Sequence, residues 1–339
     1  MVRIAQHLDD RRILEHLQAA GLLNAWPPAR LQWLGRARHD VALVTDHERS
    51  WIVKRCGAPL MGGVLELTNE ALFHQALARG LLPDPLARCV PRLVLQCEGG
   101  SLLVFEYWSG RTSLAAILVS GRRPPASTME AIGTTIAVCH GCGAHAVREF
   151  LKEARNPIVE LTRVSPTEMA HGPPALWDFV RLLQSEPMID RTLTNIRSAW
   201  CPHALTHGDL KIDNLLVSER LSDGVAIIDW ELAAIGDLRW DCAALIGSIF
   251  LAGLEHSLDN GVGSSRSAMA CAREFLAAYD AVSAGSPLDQ SVFEWAGAWI
   301  LNQLVSGLGS QRYLTRYHLA ALHLACSLLT DRPPPTEPL

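Results

Sequence analysis

Three side chains that carry oxygen ligands stand close together in the second half of the sequence. In the stretch His-Gly-Asp-Leu-Lys-Ile-Asp-Asn, residues 207–214, Asp209 is followed five positions later by Asn214. A strand-like apolar run, residues 225–228, then ends on a second acid, Asp229. Transfer of a phosphoryl group from ATP requires one aspartate that orients the attacking hydroxyl, and an asparagine and a second aspartate that hold magnesium. The residue types and their spacing therefore predict phosphoryl-transfer chemistry.

A turn without chemistry is the alternative interpretation of each half of this pattern. Aspartate and asparagine before an apolar strand commonly build the turn itself, because their side chains bond to backbone N–H groups. Here, however, the pattern continues through an apolar run at 215–217, a turn at 222–224 and the strand that ends on Asp229. The combination favours a catalytic site over a simple turn.

The motif His-Gly-Asp-Leu-x-x-x-Asn, followed by Ile-Asp-Trp-Glu, resembles the aminoglycoside phosphotransferase and choline kinase branch of the protein-kinase-like superfamily. The resemblance implies that Asp209 is the catalytic aspartate and that Asn214 and Asp229 bind Mg²⁺. That branch often carries His-Pro or a similar pair two residues after the catalytic aspartate, whereas this chain has Lys211. Ser/Thr protein kinases carry a lysine there, so Lys211 is a second catalytic candidate that would stabilise transition-state charge. A solvated loop lysine is the equal alternative.

The fold that the resemblance implies is an α+β, bilobal kinase-like fold. It has a small N-terminal lobe built on an antiparallel sheet and a larger, mainly helical C-terminal lobe. The length of 339 residues permits two lobes. We place the nucleotide-binding lobe at residues 1–108, with a leading amphipathic helix over 4–23, and the catalytic and acceptor lobe at 109–339.

A lysine on a strand of the first lobe is expected to touch the nucleotide phosphates. Apolar runs at 41–44 and 50–54 with a polar turn between them predict a hairpin, and Lys54 ends the second strand. Arg55 is the neighbouring alternative, but strand alternation sends it to the other face. Without the resemblance, Lys54 would be a strand-end cation in water.

A helix glutamate is expected to hold that lysine in place. The helix that follows the glycine-rich loop at 57–63 carries two acids. We choose Glu70 because the family that the motif resembles places its acid just before a similar apolar stripe. Glu66, one turn earlier, is the alternative. Both acids are otherwise ordinary solvated helix residues.

Two further parts of the nucleotide site are less specific in sequence. The loop over the phosphates, residues 34–41, contains a single glycine, Gly35, and its two arginines, Arg36 and Arg38, would supply charge or lie on the surface. A second predicted hairpin, at 92–97 and 101–108, resembles the hinge between kinase lobes. There the backbone pairs with adenine, which makes three residues at its end candidate ATP contacts: Glu106, Tyr107 and Trp108.

Composition narrows the class of protein. Hydrophobic residues make up 49% and charged residues 19% of the chain, and the formal net charge is −5. A nucleic-acid partner is not expected, because phosphate-backbone binding needs a basic face. Nine scattered cysteines favour reduced thiols in the cytoplasm. No signal-peptide pattern opens the chain, and the longest apolar run, 242–254, is too short for a membrane span.

Two motifs outside the catalytic pattern have structural interpretations. Cys139 and Cys142 form a Cys-x-x-Cys, but the other cysteines stand singly, so a zinc site is disfavoured. The resemblance places His140 at a helix end near the catalytic loop as a structural residue. Asp241 resembles the acid that braces the catalytic loop through its backbone, and it would also cap the next helix.

The phosphate acceptor is the least determined part of the prediction. The last helices contain few acids, which weakly disfavours polycationic aminoglycosides. A small hydroxyl-bearing molecule and a Ser or Thr of a precursor peptide both remain open, with ATP and Mg²⁺ as cofactors. Lys211 and the acid-poor last helices slightly favour the peptide. Glu231 is expected near the metals, where it would shape the acceptor pocket. The alternative from another class is a nucleotide-binding pseudokinase that serves as a scaffold for a partner enzyme.

Overall fold

The computed structural model describes residues 10–24, 29–36, 39–47, 49–56, 61–97, 102–158, 173–218, 224–261, 265–283 and 288–330 of the chain. Several predicted features lie outside the described residues: the start of the leading helix at 4–9, the tip of the phosphate loop at 37–38 with Arg38, and the hairpin turn at 98–100.

The N-terminal part is built on a five-stranded antiparallel sheet with the strand order β1-β2-β3-β5-β4. Its strands are β1 Arg30–Arg36, β2 His39–Thr45, β3 Ser50–Cys56, β4 Leu93–Gln96 and β5 Leu102–Glu106. Both predicted hairpins are present, because β2 pairs with β3 and β4 pairs with β5. The predicted Trp33-Leu34-Gly35 segment is itself part of a strand, which pairs with β2.

One helix covers each face of this sheet. Helix α1, Asp10–Ala19, packs Ile13 and Leu17 against Val53, Leu102 and Val104. Helix α2, Met61–Ala78, packs on the opposite face, which carries Leu103 and Phe105. Because successive strand residues point to opposite faces, the burial of Val53 under α1 places the next side chain of β3 on the α2 side.

The C-terminal part is mainly helical, as predicted, which together with the sheet confirms the α+β class. Its helices after the short α3, Asp84–Ala87, are α4 Leu114–Val119, α5 Ala126–His140, α6 Ala144–Val147, α7 Pro174–Gln184, α8 Pro187–Ser198, α9 Leu238–Asn260, α10 Ser265–Val282, α11 Ser291–Gly307 and α12 Arg316–Leu329. Helices α5 and α10 pack closely because α5 has Gly133 at the contact. A Cβ there would lie 2.5 Å from the carbonyl oxygen of Phe275.

Helix α9 contains the longest apolar run of the sequence and extends beyond it at both ends. Among the described residues, it is the one helix long and apolar enough to cross a membrane, and 72% of its apolar window is buried inside the protein. Burial of this kind is typical of the central helix of a folded core. The apolar run therefore contributes to the core.

Two small sheets hold the loops between the helices. A two-stranded sheet pairs β7, Ala204–Thr206, with β10, Ala234–Gly236. A three-stranded sheet joins β6, Arg111–Ser113, to β8, Leu215–Ser218, and to β9, Val225–Ile227. Residues 207–214 connect β7 to β8 and residues 228–233 connect β9 to β10. The two segments that carry the predicted chemistry therefore start and end on paired strands.

Candidate active site

The segment between β7 and β8 brings three predicted site residues together. The ammonium of Lys211 donates to Oδ2 of Asp209 at 2.6 Å. The side-chain nitrogen of Asn214 donates to the carbonyl oxygen of Asp209 at 2.8 Å. Burial would lower the pKa of Lys211, but the charge of Asp209 outweighs it and raises that pKa. Lys211 is therefore a protonated partner of Asp209 and not a freely solvated lysine.

A buried carboxylate, Asp241, fixes the start of this loop. Its two oxygens accept the backbone N–H groups of His207 at 2.6 Å and of Gly208 at 2.9 Å. Gly208 has a φ of 83°, and a Cβ there would lie 2.4 Å from the carbonyl oxygen of Leu232. The loop needs glycine at this position for both its conformation and its close approach to the neighbouring segment.

The expectation that Asp241 also caps its helix is wrong. The N-cap of α9 is Asp237, whose side chain accepts the N–H of Arg239. Asp241 lies one turn into the helix, and its oxygens are engaged with the loop. His140 contacts the same carboxylate at 3.2 Å through Nε2 and Tyr279 at 2.9 Å through Nδ1, so it is a structural residue, as expected.

The Cys-x-x-Cys motif has no metal-binding arrangement in the part of the chain that the structure describes. The two clusters of side chains there that could hold a metal ion contain only histidine and acids. Burial raises the pKa of the thiols of both Cys139 and Cys142. Both are buried, protonated residues of the core.

Asp229 has a backbone conformation that aspartate seldom adopts. Its φ of 68° and ψ of 54° place it in the left-handed region, where no other described non-glycine residue has a positive φ. Neighbouring contacts hold it there: Ile228 donates its N–H to the carbonyl oxygen of Asn214 at 3.0 Å, and the buried ring of Trp230 stacks on Phe73 at 4.1 Å. Strain of this kind is often stored at functional sites.

Lys54 lies on the α2 face of the sheet and faces three carboxylates. Its ammonium contacts Glu70 at 2.8 Å, Glu231 at 2.5 Å, and Asp229. Glu70 is therefore the helix partner of the lysine, and its second oxygen accepts the N–H of Trp230 at 3.2 Å. Arg55 points to the other face, as alternation predicts, and pairs with Asp40 at 2.8 Å.

Burial and charge act in opposite directions on this cluster. Burial lowers the pKa of Lys54, but its carboxylate neighbours outweigh burial and raise that pKa well above the usual value. Burial raises the pKa of Glu70, and the charge of Lys54 opposes the rise. For Glu231, a hydrogen bond from His39 and the charge of Lys54 overcome the effect of burial and lower its pKa to about 2. Lys54 is a cation and Glu231 an anion at neutral pH.

His39 is a residue of this cluster that sequence reasoning missed. Its Nε2 lies 3.1 Å from Glu231 and 3.2 Å from Glu66. Glu66, the alternative to Glu70, therefore contacts the histidine. The one available signal in the sequence was a histidine within the predicted phosphate loop, and nothing in its spacing connects it to α2.

The predicted adenine contacts lie at the end of β5. The N–H of Glu106 donates to the carbonyl oxygen of Arg92, and the side chains of the two residues form an exposed ion pair at 2.6 Å. The Tyr107 side chain is exposed, and the guanidinium of Arg111 lies 4.7 Å from the centre of the Trp108 ring. Glu106 ends the strand that pairs with β3, which carries Lys54, and the other two residues follow that strand.

Several solved structures have a fold similar to that of this chain. The chain is similar to a microcompartment-associated aminopropanol kinase, with 15% identity, a TM-score of 0.62, and coverage of 96% of this chain and 99% of that one. It is similar to an ethanolamine kinase from Plasmodium vivax, with 13% identity, a TM-score of 0.57, and coverage of 97% and 93%. It is also similar to the choline kinase LicA from Streptococcus pneumoniae, with 15% identity, a TM-score of 0.55, and coverage of 95% and 98%.

The TM-scores show a shared fold, and at such low identities they show the fold alone. No curated protein matches the chain by sequence. A family model described as the phosphotransferase enzyme family matches residues 29–280, well over half of the chain. The resemblance inferred from the motif at 207–214 is thereby confirmed, and so is the kinase-like fold. The chain belongs to the phosphotransferase enzyme family.

Proposed function

We propose that the protein is an ATP- and Mg²⁺-dependent O-phosphotransferase that transfers the γ-phosphate to a hydroxyl group. The proposal rests mainly on the meeting of Lys54 and Asp229 across the cleft between the sheet and the catalytic loop. A backbone hydrogen bond of 3.0 Å from Ile228 to Asn214 joins the segment of Asp229 to that loop. A cation and oxygen ligands gathered in this way suit a magnesium-bound triphosphate.

The residues of the cleft suit the nucleotide and its metal by their chemistry. Lys54, oriented by Glu70, would bind the phosphates, and the backbone of residues 106–108 would pair with adenine. Asn214 and Asp229 would hold magnesium, because amide and carboxylate oxygens are its preferred ligands. Nδ2 of Asn214 already donates to Asp209, so Oδ1 would be its metal-binding atom. Bound magnesium would neutralise phosphate charge.

Asp209 and Lys211 would act on the reacting groups. Asp209 would orient the acceptor hydroxyl and accept its proton, and Lys211, 2.6 Å away, would stabilise negative charge on the transferring phosphate. Most of the rate enhancement would come from positioning and charge neutralisation.

A small hydroxyl-bearing molecule is the acceptor that we favour. Three solved structures with a similar fold are named as kinases of aminopropanol, ethanolamine and choline, which are small alcohols. A Ser or Thr hydroxyl of a precursor peptide is the second candidate, supported by Lys211 and by the acid-poor terminal helices. A pseudokinase scaffold for a partner enzyme is the third, supported by the phosphate loop with its single glycine, Gly35.

The cytoplasm is the compartment that we propose. All nine cysteines are free thiols, which suits a reducing environment. Neither a nucleic acid nor a membrane is part of the proposal, because the net charge is −5 and the long apolar helix α9 is mostly buried.

The proposal is tested by incubating the protein with γ-labelled ATP, Mg²⁺ and separate panels of amino alcohols, sugars and Ser/Thr peptides, with mass analysis of the products. We expect the Asp209→Ala variant to lose transfer by about a thousandfold or more while it retains nucleotide binding. Asp213→Ala, at an exposed position of the same loop, is the matched control. Transfer at the wild-type rate by Asp209→Ala would remove the assignment, and MgATP binding without any turnover would support the scaffold.

A further inference from the structure

The end of β2 nearest the phosphate loop carries an almost completely buried histidine. The His39 side chain is 4% exposed, and its Nε2 lies within 3.2 Å of one carboxylate from α2 and one from the segment after Asp229. Both neighbours, Glu66 and Glu231, only accept hydrogen bonds when ionised, so Nε2 must carry the proton. His39 thus joins three separate elements of the fold through one N–H group.

Glu231, one of the two partners of His39, is held by two further contacts. Oε2 of Glu231 also contacts Lys54 at 2.5 Å, and the carbonyl oxygen of Glu231 accepts Nδ2 of Asn69 at 2.9 Å. Glu231 therefore lies between two donors, the lysine that would bind phosphate and the histidine at the end of the hairpin. A displacement of the hairpin would therefore move Glu231 and, through its contact with Glu231, the ammonium of Lys54.

The other face of the same strand end is fixed independently. Asp40, the next residue, forms a buried pair with Arg55 at 2.8 Å. The guanidinium of Arg55 lies 4.2 Å from the centre of the Trp33 ring on β1. The end of β2 is consequently held from both sides of the sheet, and the contacts of His39 connect it to two carboxylates of the cleft.

A glycine-rich loop holds phosphates through closely approaching backbone N–H groups. This chain has one glycine between Leu34 and Val41, so that mechanism is weak here. We propose that His39 is a positioning residue for nucleotide binding, which holds the β1–β2 hairpin against the cleft by its hydrogen bonds to Glu66 and Glu231. This inference rests on the proposed function, because it presumes that Lys54 binds the nucleotide.

The test is the affinity for MgADP, which needs no acceptor, measured by calorimetry together with the rate of MgATP hydrolysis in the absence of acceptor. For His39→Leu we expect an affinity about tenfold weaker, because a hydrogen bond to charged groups is lost, and a hydrolysis rate at saturation within about threefold of wild type. His39→Gln retains an N–H donor and should recover most of the affinity. His47→Leu, an exposed histidine near the other end of β2, is the matched control.

A double-mutant cycle approaches the same contact from α2. Glu66→Ala should also weaken MgADP binding, and the combination with His39→Leu should weaken it by less than the product of the two single effects.

Unchanged affinity in both single variants would overturn the inference. Equal losses in His39→Leu and His39→Gln would also overturn it, since packing alone would then explain the histidine. If wild type fails to bind MgADP, the proposed function itself is wrong. If wild type binds and Asp229→Ala weakens Mg²⁺-dependent binding while the His39 variants do not, only the role of His39 is wrong.

Discussion

In the proposed catalytic loop, residues 207–214, the backbone N–H groups of His207 and Gly208 bond to one buried carboxylate, Asp241. In the proposed nucleotide cleft, by contrast, Lys54 contacts three carboxylates through the end of its side chain. The first arrangement is part of the main-chain fold. The second is a set of ion pairs in which three carboxylates surround a single ammonium group.

The difference indicates which part of the site is preformed. A loop tied down by its backbone keeps its geometry whether or not a substrate is present. A lysine with three carboxylate partners can exchange some of them for phosphate oxygens, since bound magnesium would compete for Asp229. We therefore expect the catalytic loop to stay fixed and the partners of Lys54 to change when MgATP binds.

Replacing the brace of the catalytic loop should give the largest effect on stability. Asp241→Ala leaves two N–H groups of the loop unpaired, and His140 loses its carboxylate partner. We expect the free energy of unfolding in urea to fall by about 3 kcal/mol. Asp259→Ala, at an exposed position near the other end of α9, is the control and should change it by less than about 0.5 kcal/mol. A small effect in Asp241→Ala would show that the loop does not depend on this brace.

Removal of the Glu70 carboxylate should weaken nucleotide binding in the cleft and leave the loop at 207–214 folded. In Glu70→Ala, Lys54 keeps its contacts with Asp229 and Glu231 but loses the helix carboxylate that we propose orients it toward the phosphates. We expect MgADP affinity, measured by calorimetry, to weaken about tenfold. Gln75→Ala, at an exposed position of the same helix, is the control. If Glu70→Ala instead unfolds the catalytic loop, the two regions are not independent.

The smallest expected effect concerns the backbone of Asp229. Since its φ is 68°, Asp229→Gly should be more stable than Asp229→Ala by about 1 kcal/mol, although both lose the carboxylate. The same pair of substitutions at Gln75 in α2 should have the opposite sign, because glycine is less stable than alanine inside a helix by about 1 kcal/mol. Urea unfolding of the four variants measures both differences. Equal stability of the two Asp229 variants would mean that the backbone at this position leaves the left-handed region once the carboxylate is removed.

Much of the site was predictable because it lies in continuous segments. The motif from His207 to Asn214 and the strand that ends at Asp229 carry their own spacing, and β-strand alternation correctly separated Lys54 from Arg55. The choice between Glu70 and Glu66 followed from the resemblance, and the structure pairs Glu70 with the lysine. The error on Asp241 had a physical cause: an acid near a helix start resembles a cap, and its true partners are far away in sequence.

The sequence by itself determined the chemistry that this chain carries and the order of its elements, because residue type, local spacing and alternation are properties of neighbours along the chain. Only the tertiary structure decided which side chains share a partner. Glu231 lies between Lys54 and His39, and Asp241 reaches back to the loop before it, because packing of the sheet against α2 and of α9 beneath the loop brings them together. Contacts between residues so distant in sequence depend on that packing, which no local pattern encodes.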